Sequence, residues 1–268
     1  MNRKITIALL LAPFLFSACN RYYYKPNAIN DPLFTGGGQV HAAFAGSIGN
    51  GDDGNDQDRT YFTDLQLGFS PINHLGVIGE YSTYAYRPYN KATVPADAHI
   101  IEGGIGGYGA FGKRKAKLVV DLYAGGGGGS VTSDVNMNLR KLFIQPGIGI
   151  RSDYFDAVIN FRFSNIKYSD LNAKGNDYTY LTGHHLIDTF NNTRIDNGSY
   201  TFYEPGVTLR AGYKFVKVQL QSAFGLAITP ISWHYNGIRY TVGLHFNLED
   251  MLSMNKEGSS HTSRSDED

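Results

Sequence analysis

The sequence predicts an all-β protein, an antiparallel up-and-down transmembrane β-barrel of about ten strands. Three observations predict it. From about Gln39 onward, apolar and polar residues alternate with a period of two and helical periodicity is absent. Short connections alternate strictly with long polar ones. Beyond the N-terminal segment there is no apolar run near the roughly 18 residues a membrane helix requires. A span must then be a closed barrel, the other structure that satisfies its backbone in lipid.

The chain begins with Asn2-Arg3-Lys4, an apolar run from Ile5 to Phe16, and the small residues Ser17-Ala18 before Cys19. A charged start, a short greasy middle and small residues at the cut are the layout of a secretory signal peptide, here residues 1–18. Cys19 is the only cysteine, so it has no partner for a disulfide in an oxidising compartment. Its position resembles the bacterial lipobox, with Phe16 where Leu, Val or Ile is usual; the resemblance implies a diacylated Cys19 as the new N-terminus. Two acyl chains anchor stably where one does not.

Residues 19–36 read as a lipid-anchored tether: Arg21-Tyr22-Tyr23-Tyr24-Lys25-Pro26, then Asn-Asp-Pro and Gly-Gly-Gly turns. The barrel is expected over 37–248, its first strand at 39–48. Next, Tyr61, Thr63, Leu65, Leu67 and Phe69 share one face and Asp64, Gln66, Gly68 and Ser70 the other. Leu75, Val77, Gly79, Tyr81 and Thr83 oppose Glu80, Ser82 and Tyr84. Ile101, Ile105 and Phe111 oppose Glu102, Gly104, Gly106 and Tyr108. Leu118, Val120, Leu122 and Ala124 oppose Asp121 and Tyr123. Later strands fall at about 141–151, 156–168, 201–213, 217–227 and 238–248. Pro146 and Pro205 lie inside predicted strands, each before a glycine, and a bulge near a rim is the expected accommodation.

Short connections at 70–74, 112–116, 152–155 and 214–216 alternate with long ones at 49–59, 87–97, 126–140, 169–199 and 228–237. An even strand number with short periplasmic turns and long extracellular loops is how outer-membrane barrels are built. Both termini are then expected on the periplasmic side. The Ser-rich polar tail 249–268 is expected to be disordered and periplasmic.

Composition agrees with strands rather than helices. There are 32 Gly, 19 Tyr and 16 Phe but one Trp. Without the signal peptide, 22 basic and 24 acidic residues remain, a net charge of about −2. No basic patch or stripe stands out, so nucleic acid is not an expected partner.

The last strand, with Thr241, Gly243, Phe246 and Leu248, resembles the terminal signal read by the barrel assembly machinery. Leu67–Val77, Phe143–Gly149 and Phe202–Val207 resemble small outer-membrane β-barrel lipoproteins of the Bacteroidota type, over most of residues 20–248. That likeness implies fold and location, not activity. In those bacteria, surface-bound lipoproteins tend to carry acidic residues after the cysteine. Asn20-Arg21-Tyr22 stand here, which implies an anchor in the periplasmic leaflet of the outer membrane of a Gram-negative bacterium.

The alternation places Asp64, Glu80, Glu102, Asp121 and Glu204 in the lumen with Arg151, Arg162, Arg210 and Arg239. An unpaired buried charge is costly, so these are expected to form an ion-paired plug rather than a charged pore. Asp52, Asp53, Asp56 and Asp58 gather four carboxylates that could hold calcium, but the loop lacks a calcium-loop order and reads as solvated. His184, His185 and Asp188 lie in the longest loop without a nucleophile motif beside them. Loop aromatics such as Trp233 suit a contact surface. The expected function is a non-enzymatic, lipid-anchored barrel without a cofactor, structural or accessory in an outer-membrane assembly, meeting outer-membrane lipids and a protein partner through its outer loops. The alternatives are a narrow channel for small solutes and a barrel enzyme acting on lipid or peptide at the outer rim.

Overall fold

The computed structural model describes residues 23–50, 58–90, 94–112, 115–188 and 193–250. Among them, ten long antiparallel strands close into a barrel. Seven run in direct succession: β1 (Val40–Asn50), β2 (Arg59–Ile72), β3 (Leu75–Arg87), β4 (Ala96–Phe111), β5 (Lys117–Thr132), β6 (Asn136–Arg151) and β7 (Phe155–Asn172). A connection follows that holds α1 (Tyr178–Gly183) and a ribbon of β8 (Ile187–Asp188) with β9 (Thr193–Arg194). Then come β10 (Ser199–Tyr213), β11 (Val216–Phe224), a two-residue extension β12 (Leu226–Ala227) and β13 (Ile238–Asn247). The ring closes where β13 pairs with β1, for example Leu244 with Phe44 and Gly243 with Ala45.

Because successive side chains point to opposite faces, the alternation in sequence becomes an alternation in space. Leu65, Leu67, Phe69, Val77, Ile101, Ile105, Leu118, Val120, Leu122, Ile144, Leu209 and Leu220 all stand outside and exposed. Asp64, Glu80, Glu102, Asp121, Lys141, Arg162 and Glu204 point inward and are buried. The barrel is thus apolar without and polar within.

Two expectations need correction. The stretch 126–140 is not a long loop: Gly125–Gly129 continue β5 in register with β4, and β6 begins at Asn136, leaving only Ser133–Val135 between. The glycine run resembles a turn in sequence, yet it is a close approach of two strands. A Cβ at Gly127 would strike the Ile101 carbonyl. The prolines, secondly, need no bulge. The β6–β7 register is the same on either side of Gln145-Pro146, and the β10 register is the same on either side of Glu204-Pro205. Each proline omits its pairing on the side where its missing N–H would have donated, and keeps the other: Pro146 with Leu122, Pro205 with Phe161.

Candidate functional site: a strap through the lumen

Residues 23–38 enter the barrel. With Pro26 and Pro32 among Asn and Asp, the segment can sustain neither helix nor ladder, and it runs irregular and extended. From Tyr23 to Phe34 every residue except the half-buried Lys25 is buried. Of the lipid-anchored tether expected over 19–36, the described part, residues 23–36, lies in the lumen. Tyr23 stands at the long-loop mouth, while Glu249 stands at the other.

Backbone groups of the strap take their partners from the wall. At the loop mouth, Tyr23 N donates to His234 O at 3.1 Å and Asn236 N donates to Tyr24 O at 3.0 Å. Gln221 holds both polar groups of Ile29, accepting from its N–H at 2.9 Å and donating to its carbonyl at 2.7 Å. Gln145 donates to Asn30 O at 3.0 Å, Arg210 to Asp31 O at 2.7 Å and Arg151 to Leu33 O at 3.2 Å. At the other mouth Gly37 N reaches Asn73 Oδ1 at 2.7 Å and Gly38 N reaches Ser70 O at 2.7 Å. Satisfying buried backbone groups in this way is what allows irregular chain to lie inside the barrel.

The side chains of the strap join the charged wall. Asn27 Nδ2 lies 3.0 Å from Glu80 Oε1 and 2.7 Å from Glu102 Oε2. Its Oδ1 accepts from Lys141 Nζ at 2.7 Å and Arg162 Nη2 at 2.9 Å. Asp31 accepts from Thr208 at 2.8 Å and from Asn160. Asn30 Nδ2 donates to the Leu67 and Gly79 carbonyls at 2.7 and 2.8 Å. Tyr24 Oη donates to Glu204. Room for the strap comes from inward glycines. A Cβ at Gly68 would meet Pro32 and Phe34, at Gly76 Phe34, at Gly149 Leu33, and at Gly206 Ile29.

Of the lumen residues named from sequence, some form ion pairs. Arg239 binds Asp64 at 2.6 Å; Arg162 binds Glu204 at 2.9 Å and Glu102 at 3.3 Å. Glu80 is held by Asn27, and among the described residues no cation pairs with it. Arg210 binds Gln219 at 2.8 Å and the Asp31 carbonyl, and Asp121 Oδ1 is buried without a hydrogen-bond partner among the described residues. Arg151 belongs to the short-turn mouth, where it meets Glu249 at 3.0 Å.

Sequence reasoning missed Lys141, which bridges Glu102 at 3.4 Å and Glu204 at 3.2 Å, and the Asp156–Lys217 pair at 2.7 Å. Strand parity could have found Lys141, since it shares the inward phase with Met137, Leu139 and Phe143. Between these groups a cavity of about 10 Å³, lined in part by Asn30, Glu80, Glu102, Gln145 and Arg162, has room for about one water.

Above the charged layer an aromatic cap covers the loop mouth. Trp233, expected on an exposed contact surface, is 3% exposed. It packs edge-on against Tyr168 and Tyr200, with centroids 5.8 and 5.1 Å apart. Leu181, Leu186, Ile187 and Ile195 from the longest connection, with Tyr23 and Tyr24, complete this core. His185 meets His234 edge-on at 5.4 Å, and His184 packs on Tyr180 at 4.3 Å. Burial, with His185 and His184 nearby, holds the His234 imidazole below its usual pKa. Asp188 lies on the β8–β9 ribbon.

At the short-turn mouth Glu249 meets Arg151 and stands 3.5 Å from His41 Nε2. Burial alone would raise the Glu249 carboxyl, but its hydrogen bond to His41 and the charge of Arg151 hold it down at about 2.

Asp52, Asp53 and Asp56 lie outside the described residues. Asp58 is buried and accepts from Tyr86 Oη and Tyr89 N, both at 2.7 Å. Among the described residues no three His, Cys, Asp or Glu side chains converge as metal donors. Cys19 and residues 251–268 also lie outside the described residues. Thr241 and Gly243 lie on the closing strand β13 with Phe246, and Leu248 just beyond it. No family model matches the chain, and no curated protein matches it.

Proposed function

We propose that this chain is a lipid-anchored β-barrel of a Gram-negative outer membrane, closed by its own N-terminal strap. Its role is structural or accessory in an outer-membrane assembly, and it is not an enzyme. The observation that carries the reading is the combination of an apolar outer face with a lumen occupied by strap and ion pairs. A contiguous exposed apolar surface of that extent suits lipid, and a membrane barrel faces lipid with its apolar residues. Among the described residues no helix is long and apolar enough to cross a membrane, so strands would make the crossing. A channel for small solutes would require a continuous polar path, and Asn27, Asn30 and Asp31 stand across it.

The barrel assembly machinery would receive the chain through the last strand, at Thr241, Gly243, Phe246 and Leu248. Diacylation of Cys19 would add the anchor. Partner contact would fall to the outer surface of the loop cap. Membrane fractionation with alkaline washing tests the reading: the protein should stay in the outer-membrane pellet and show heat-modifiable gel mobility. A fatty-acid probe should label the wild type and not Cys19→Ala. Release into the wash, or label that persists in Cys19→Ala, would reject the barrel or the anchor respectively.

A further inference from the structure

The strap has a direction, and the direction assigns sides. Its contacts move steadily down β10, which runs from the loop mouth at Ser199 to the short-turn mouth at Tyr213. Tyr24 meets Glu204, a Cβ at Gly206 would meet Ile29, and the Asp31 side chain and carbonyl meet Thr208 and Arg210. Thr35 and Gly37 then meet Gln39 and Asn73 at the short-turn mouth. Sixteen residues from Tyr23 to Gly38 reach up to ~50 Å when extended, more than the ~30 Å hydrocarbon core of a bilayer.

We propose that residues 23–38 are a further crossing of the membrane, threaded inside the barrel, which carries the N-terminal side of the chain to the face that bears the long loops. The C-terminal side, from Glu249, remains on the opposite face. Cys19 precedes Tyr23 by four residues, a reach of at most ~14 Å. Resting on the lipid-anchor reading above, its acyl chains then enter the leaflet beside the long loops. The order Asn20-Arg21-Tyr22 implied the periplasmic leaflet, and the strap argues for the other one.

Sidedness is tested with single added cysteines in the otherwise native, lipidated chain. Arg21→Cys, Asn55→Cys in the first long loop and Ser259→Cys in the tail are treated with an impermeant maleimide on intact and on lysed cells. Arg21→Cys should label under the same condition as Asn55→Cys, and Ser259→Cys under the opposite one. Should the Arg21→Cys thiol be shielded, an epitope inserted between Arg21 and Tyr22 gives the same readout. Labelling or epitope exposure that follows Ser259→Cys would overturn the threading. A fatty-acid probe on the same samples separates the two readings. Unlabelled protein with residue 21 on the Asn55 side would reject the anchor and keep the crossing. Labelled protein with residue 21 on the Ser259 side would do the reverse.

Discussion

The Asn27 side chain stands 2.7 Å from Glu102 with its nitrogen and 2.7 Å from Lys141 with its oxygen, so one neutral amide of the strap joins an acid of β4 and a base of β6. An amide suits this place because it donates and accepts at once. Asn27→Leu would leave Glu80, Glu102, Lys141 and Arg162 each short of a partner. Leaving a buried group unsatisfied costs about 1–3 kcal/mol, so the urea midpoint should fall clearly. Asn138→Leu, which removes an exposed rim contact with Asp170, should leave the midpoint nearly unchanged.

Arg162 and Glu80 face the same lumen but should respond differently. Arg162→Ala removes one of the two cations that meet Glu204 and Glu102, leaving only Lys141, and breaking a buried pair from one side costs about 3–5 kcal/mol. Glu80→Gln keeps a side-chain oxygen for Asn27 and removes a charge that no ion pair holds among the described residues. Unfolding resistance should therefore drop strongly in the first variant and little in the second. Equal losses would mean that Glu80 is ion-paired after all.

Gly206 gives a test of strap packing. Its missing side chain is the space that Ile29 occupies. Gly206→Leu should displace the strap and expose residues 23–34 to added protease in detergent-solubilised protein. Gly183→Leu, where nothing lies within 4 Å of the new Cβ, should leave the protease pattern of the wild type.

The Glu249 contacts carry an acid dependence. Its folded pKa, about 2, lies below the ordinary glutamate value of 4.5, so its ionised form stabilises the fold at pH above about 4.5. That contribution is lost as the pH falls through 4.5 towards 2. The melting temperature of the wild type should fall over this window. Glu249→Gln should start lower and lose this part of the pH dependence.

The wall of the barrel was legible in the sequence because burial there follows a period of two. Once Leu65 and Leu67 point out, Asp64 and Gln66 must point in. The inward acids and arginines followed from the same parity; Arg239 pairs with Asp64 and Arg162 with Glu204, while no ion pair to Glu80 or Asp121 forms among the described residues. The strap was not legible. Pro26, Pro32 and the Gly-Gly-Gly that follows Thr35 are the marks of loose chain, and no periodicity reveals that the loose chain is enclosed. A trace was present all the same: Ile29, Leu33 and Phe34 are more apolar than a solvated tether requires. The loop cap hid for a related reason. Trp233 and Leu181 sit on connections, and only the fold shows that these connections pack on one another.

The central claim is that the lumen is closed by the chain's own N-terminal strap. Single-channel recording of the purified wild type in a planar bilayer tests it most directly. The closed barrel should give a flat baseline, and replacing residues 23–34 by a Gly-Ser linker of equal length should give discrete conductance steps. Stable, ion-selective steps from the wild type itself would contradict it.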